Sequence, residues 1–395
     1  MKNPYSQIPP LVWLLASITL ISRSGSMVLI FLPLYLIQKL GLSILIAGEI
    51  VSFYGLGEII GSYVGGMLSD RFSLLHVQTV SFFLVGLAYS SLGILHFKIT
   101  IMVAMFFAGL FTAAARPATG AAIARLTTSD IRAKAYALNY QAVNLGATIG
   151  PALGGILASA NYTWVFVIDG TANIIASIAV WLFFRKHSVS LSPQHEKLDP
   201  LVFQSAWKNN YFLILLLLTL FIGICFFQIF SVFPIYLKTY YHLTESDVGT
   251  ILAINGLMII FFQMPLTSFL NKFSALRVIA IGGLVVSLGY FILPFYAGFY
   301  YAVLSMIIIT LGEMIAIPLL FTTVTKIAPA HQRGQYLGLL IIALMSAPLF
   351  LAPNICSYIY NTFGPTMLWF GIGILGIIIF IGFQSLYFRN SQHIT

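Results

Sequence analysis

Residues 33–55 read PLYLIQKLGLSILIAGEIVSFYG and residues 234–256 read PIYLKTYYHLTESDVGTILAING. A single shift of 201 positions lays Pro33, Tyr35 and Leu36 on Pro234, Tyr236 and Leu237, then Leu42, Gly48, Ile50 and Gly55 on Leu243, Gly249, Ile251 and Gly256. The register survives the next loop, where Asp70, Arg71, Phe72, Ser73, Leu75 and Val77 meet Asn271, Lys272, Phe273, Ser274, Leu276 and Val278. Further on, Pro117, Arg125, Arg132 and Leu138 meet Pro318, Lys326, Arg333 and Leu339. Shared apolar composition would align leucines; it would not carry prolines, glycines and loop basics through in one register. The chain therefore reads as an internal duplication.

Outward from these segments the solvent becomes clear. Of 395 residues 59% are hydrophobic and 7% charged, whereas an average soluble domain carries about 25% charged residues. Runs of about 20 apolar residues, enough to cross roughly 30 Å of hydrocarbon, follow one another from Leu11 to Phe388. Lipid offers backbone groups no water, which leaves helices or a closed barrel, and the runs lack the period-two alternation of a barrel. The expected fold class is an all-α membrane protein with 12 transmembrane helices in two pseudo-two-fold related six-helix bundles. Expected spans are 11–37, 44–69, 74–95, 98–126, 134–158 and 162–184, then 210–239, 244–270, 276–297, 299–327, 332–361 and 363–388. Residues 1–184 form the N-terminal bundle, 185–209 a polar cytoplasmic linker, and 210–395 the C-terminal bundle.

A net charge of +9 in a soluble protein would raise nucleic acid as a partner, so the placement of the basic residues decides the matter. With the N-terminus inside, only Lys39, Lys98 and Lys238 fall in outer loops, Arg23 and Arg116 lie within spans, and the rest of the 19 Lys and Arg face inward. That is the positive-inside pattern of a chain with both termini cytoplasmic, and it argues against nucleic acid. Cys225 and Cys356 lie in apolar runs, where a free thiol behaves as a small hydrophobe. The first run is too long for a signal peptide and reads as the first span. The compact loops suggest a bacterial inner membrane.

Three local patterns carry a family resemblance that covers essentially the whole chain. Between spans 2 and 3, Gly65, Gly66, Leu68, Ser69, Asp70 and Arg71 resemble the G-x-L-a-D-R loop signature of the major facilitator superfamily, although Ser73, Leu74 and Leu75 replace the glycine and basic residues that usually follow. In span 4, Arg116 and Gly120 resemble the family's R-x-x-q-G element, with Thr119 in place of the glutamine. In span 5, Gly146, Gly150, Pro151, Gly154 and Gly155 match the core of the G-x-x-x-G-P-x-x-G-G pattern associated with the drug:proton antiporter branch, with Ala137 where an earlier glycine is expected. Six plus six helices in parallel repeats imply a cavity between the halves and hence alternating access, and the resemblance adds Gly66, Asp70 and Arg71 as a conformational latch. Each pattern also has a plainer physical reading. Glycines four apart let helices approach closely, a proline bends the helix, and Asp70 at a helix end is either a latch to helix N-termini and basic partners or a solvated loop carboxylate.

Ionisable groups inside spans are expensive, about 2.5 to 3.5 kcal/mol at a helix centre, and normally face a cavity or a partner. Arg23, Glu58 and Glu313 fall near mid-span, Arg116 in the inner half of span 4, and Asp169 in the outer third of span 6. Burial favours the neutral form of a carboxyl and a nearby guanidinium favours the charged form, so such a group can bind and release a proton as its surroundings change. Glu58 and Glu313 are the first candidates for proton coupling and Asp169 the third. Arg23 and Arg116 are candidate charge partners, or a grip on an anionic substrate. A permanent buried ion pair that fixes helix packing is the competing reading.

Two functions remain. The first is a proton-coupled exporter of small apolar or drug-like compounds, suggested by the span 5 pattern and the sparse charge. The second is a proton-coupled transporter of a polar metabolite such as a dipeptide, amino acid or siderophore-like compound, suggested by the two arginines. An enzyme is disfavoured, since no His/Cys/Asp/Glu cluster has metal-ligand spacing and no phosphate-binding glycine loop occurs. Expected partners are a small-molecule substrate, protons and the lipid bilayer, with no cofactor, no metal and no nucleic acid, for a chain working as a monomer.

Overall fold

Among the residues that the computed structural model describes (8–185, 206–329 and 332–392), twelve helical spans are long and apolar enough to cross a bilayer. Span 1 consists of α1 (Pro10–Ser24) and α2 (Val28–Gln38); spans 2 to 6 are α3 (Ile44–Arg71), α4 (Leu74–Ser91), α5 (Lys98–Leu126), α6 (Ser129–Ala160) and α7 (Tyr162–Arg185). Span 7 is α8 (Asn210–Phe226), a 3-10 turn at Phe227–Phe230, and α9 (Val232–Tyr240). Spans 8 to 10 are α10 (Glu245–Leu270), α11 (Ala275–Phe291) and α12 (Phe299–Ile327). Span 11 joins α13 (Arg333–Ile341), a π turn (Ile342–Ser346) and α14 (Ala347–Phe363), and span 12 is α15 (Pro365–Gln392).

The all-helical architecture and the count of spans agree with the sequence reading, and the ends move for local reasons. Span 5 starts earlier than its apolar run because Ser129, Asp130 and Arg132 are polar yet helical, with Asp130 favourably placed in the first turn. Span 9 stops at Phe291 and turns through a 3-10 segment that contains Pro294, which has no N–H to continue the ladder. Ser43 caps α3 by accepting from the Ile46 amide at 3.3 Å. Gly41, Gly298 and Gly364 turn the chain between spans with positive φ, where a side chain would be strained.

The chain divides into two compact units. The first takes in Met1–Glu196 with Thr244–Leu257, the second Lys197–Leu243 with Met258–Thr395. Most of the expected linker, 186–205, lies outside the described residues. Within the first unit α3 packs on α5, α4 on α5 and α7, and α1 on α6 and α7; within the second, α11 packs on α12 and α15. At one end of the first unit Val12, Leu15 and Ile18 of α1 meet Leu74 and Val77 of α4, Ala122 and Ile123 of α5, and Val180 of α7 in an apolar core. Large apolar side chains such as Tyr63, Phe261 and Ile374 stay exposed on the periphery, the surface a bilayer covers. Each unit breaks its first span at overlapping points of the repeat: Gly25–Met27 in span 1, Phe227–Ser231 in span 7.

Candidate functional site

The site begins with backbones that touch. On α3, Gly57, Gly61 and Gly65 stand one turn apart, the spacing that lets two helices approach closely. A Cβ at Gly57 would strike the Phe106 carbonyl and lie 2.8 Å from the Leu110 nitrogen; at Gly61 it would strike the Leu110 carbonyl, and at Gly65 it would lie 2.7 Å from the Ala114 oxygen. From α5, Gly109 answers with the same contact against the Tyr54 carbonyl. This crossing brings Glu58, next to Gly57, against Arg116 of α5.

Arg116 donates through Nη2 to Glu58 Oε1 and through Nη1 to Oε2 at 3.4 Å, the forked geometry that suits guanidinium to carboxylate. Glu58 is 2% exposed, while the Arg116 side chain remains one-third open at 33%. Tyr54 is hydrogen-bonded with Thr112 of α5 and with Tyr89 of α4, and Arg23 sits within electrostatic reach of Glu58, Arg116, Tyr54 and Tyr89. Asp169 in turn feels Arg23. Four of the five charged residues singled out in the sequence thus form one cluster, two cations against two carboxylates, all in the first unit.

Arg23 lies at the end of α1, just before the break in span 1. From one side α6 presses its glycine strip: a Cβ at Gly146 would strike the Arg23 side chain and lie 2.9 Å from the Ser24 nitrogen, and one at Gly154 would lie 2.9 Å from Met27 Cβ. Gly150 lines the same face, where a Cβ would lie 3.3 Å from the Arg23 carbonyl. Pro151 and Gly155 point elsewhere, to the segment Thr244–Leu257 that belongs to this unit, where a Cβ at Gly155 would meet the Cα of Gly249 at 3.1 Å. The glycine-proline motif is therefore a two-faced packing surface. On the other side of the break, Asp169 of α7 is fully buried, and its Oδ2 accepts from the amides of Met27 at 3.0 Å and Val28 at 3.1 Å.

Glu313 belongs to α12 in the second unit, where Tyr290 is an electrostatic neighbour. Close to Tyr290 in that unit, Ser287 bonds Cys225 Sγ at 3.4 Å, and Gln228 donates to the Ile224 carbonyl at 2.8 Å and to Cys356 Sγ at 3.0 Å. Of the expected latch, Gly66 faces open space and Arg71 is exposed at the end of α3; the Asp70 side chain lies outside the described residues. Among the described residues no group of three His, Cys, Asp or Glu could hold a metal. Sequence reasoning passed over Tyr89, Gln78 and Asn173. Gln78 of α4 donates through Nε2 to Thr119, the residue in the place of the motif's glutamine. Lying on one face of α4, Gln78 and Tyr89 were findable only as polar residues among apolar neighbours.

Comparison with known proteins adds relatives. A family model described as Major Facilitator Superfamily matches residues 12–353. The chain is 26% identical over 341 residues to the uncharacterized MFS-type transporter YqjV of Bacillus subtilis, covering 85% of this chain and 83% of that one. It is 23% identical over 367 residues to the quinolone resistance protein NorA of Staphylococcus aureus, covering 92% and 93%. Among solved structures, a POT family transporter in complex with a thioalcohol-conjugated peptide has a TM-score of 0.83 at 17% identity, covering 97% of this chain and 96% of that one. A D-xylose-proton symporter has a TM-score of 0.74 at 17% identity, covering 94% and 96%. At these identities the two structures speak for the fold.

Proposed function

Because this chain belongs to the major facilitator superfamily, we propose that it is a proton-coupled secondary transporter that exports small apolar or drug-like compounds by alternating access. It is a multi-pass integral membrane protein that moves small molecules, not an enzyme. The observation that carries the finer reading is the Glu58–Arg116 pair, buried on the carboxylate side, open on the guanidinium side, and flanked by Arg23. Closed on Arg116, the carboxylate is charged and paired; with Arg116 drawn toward another anion or toward water, the same carboxyl takes a proton. Glu313 is the second coupling candidate and serves the other half of the repeat. Gly66, Asp70 and Arg71 act as the latch, the termini face the cytoplasm of a bacterial inner membrane, and the chain works as a monomer.

Export of an apolar solute is supported by the sparse mid-span charge and by the span 5 glycine-proline pattern. The name of one relative, a quinolone resistance protein, points the same way. The second reading, transport of a polar metabolite with a carboxylate, is favoured by one observation: two guanidinia, Arg23 and Arg116, lie in one cluster. Proteoliposomes with an imposed pH gradient separate the two. Export predicts gradient-driven movement of ethidium or norfloxacin with counterflow of protons, abolished in Glu58→Gln and reduced in Glu313→Gln. Saturable accumulation of a dipeptide or amino acid, with no dye movement, selects the second reading. Proton coupling that is unchanged in both variants removes these carboxyls from the mechanism.

A further inference from the structure

Span 1 is broken at Gly25–Met27, and a break inside a membrane leaves the first amides of the following helix short of helical acceptors and without water, although the Met27 amide keeps a tight turn bond to the Gly25 carbonyl at 2.7 Å. Asp169 fills that need with one oxygen. Oδ2 accepts from both Met27 and Val28, and a carboxylate at a helix start is favoured by the local dipole. Its other oxygen is engaged as well: Asn173, one turn along α7, donates through Nδ2 to Oδ1 at 3.2 Å and to the Asp169 carbonyl at 3.0 Å. The Asn173 Oδ1 in turn accepts from Ser22 at 2.8 Å. One helix thus holds span 1 on both sides of its break, at Ser22 below and at Met27 and Val28 above.

Between those anchors lies Arg23. Gly25 makes room for the arrangement, since a Cβ there would lie 2.9 Å from both Asp169 Oδ1 and Ala172 Cβ. The opposite side of Arg23 is held by the α6 strip at Gly146 and Gly150. We infer that Asp169 is a positioning residue: its carboxylate clasps the broken span 1 to α7 and thereby sets where Arg23 stands relative to Glu58 and Arg116. The effect on coupling rests on the reading of Glu58 as the proton site; the clasp itself does not.

Two measurements on the full-length protein in detergent or nanodiscs test this. Hydrogen exchange read by mass spectrometry over the peptide containing Met27 and Val28 reports the clasp. Asp169→Asn keeps an acceptor but loses the charge, and the expected result is exchange about tenfold faster, whereas Asp169→Ala speeds it further, most at Val28, since Met27 keeps its turn bond to the Gly25 carbonyl. An infrared titration of protonated carboxyl, with Glu58→Gln as the blank, reports Glu58. Asp169→Ala is expected to move the Glu58 midpoint by about one pH unit, and to leave it unmoved when Arg23→Gln is already present. Exchange at Met27 and Val28 that is the same in Asp169→Asn as in the parent overturns the clasp, and the Asn variant serves if the Ala variant does not fold. A midpoint shift equally large in the Arg23→Gln background overturns positioning through Arg23. If Glu58 shows no titration while the amides lose protection, the coupling reading fails and the clasp stands.

Discussion

The two units break their leading span at overlapping places in the repeat and mend it differently. In the first unit a carboxylate from span 6 crosses over to cap the break; in the second, α15 carries no acidic residue, and Gln228 of the broken span itself bonds back to the Ile224 carbonyl. The same shift of 201 that aligns the halves puts Ile224 on Arg23, Ile259 on Glu58 and Ile317 on Arg116, while Glu313 falls on Thr112. Glycines follow the charges: Gly57, Gly61 and Gly109 have Met258, Phe262 and Thr310 as counterparts. Tyr89 and Tyr290 keep the same residue at one repeat position near each site. The lesson is that charge was concentrated where a backbone-to-backbone crossing can hold a carboxylate against a guanidinium, and the other half was built neutral around one carboxyl.

The sharpest way to break this comparison is at the crossing. Gly61→Val drives a side chain into the Leu110 carbonyl and is expected to destabilise by more than about 3 kcal/mol, seen as loss of the monodisperse species in detergent. Its repeat counterpart Phe262→Val, at a side chain 58% exposed, leaves the melting temperature nearly unchanged. Equal damage at both positions contradicts the asymmetry.

Next comes the ion pair. Arg116→Leu strands a buried carboxylate and is expected to cost about 3 kcal/mol, the low end for a broken buried pair because Arg116 is partly open. Installing the second unit's residues at both positions, Glu58→Ile with Arg116→Ile, recovers most of that stability while proton coupling is lost. A double variant as unstable as Arg116→Leu would show that the pair holds the fold rather than serving the site. The smallest effect belongs to the second break. Gln228→Ala removes the bonds to Ile224 and Cys356 and lowers stability by about 1 kcal/mol, with transport retained.

Much of the fold was legible because lipid enforces it. Twelve apolar runs had to be helices, a constant register through loops had to mean duplication, and Glu58, Arg116, Arg23 and Asp169 stood out as charges where charge is expensive. The motif residues Gly146, Gly150 and Gly154 were visible as a strip, but not what the strip touches. Tyr89 and Asn173 carried no signal of their own, since one polar residue in an apolar helix has many innocent placements.

The amino-acid order by itself therefore determined the number of spans, their pairing into repeats and the short roster of buried charges, since all three follow from local hydropathy and from register. Which charges meet was decided only in three dimensions. Glu58 and Arg116 are 58 residues apart and Asp169 and Met27 are 142 apart, and nothing local couples such positions. They meet because α3 and α5 cross at glycines and because span 1 breaks beside α7, and a helix crossing is a property of two surfaces at once.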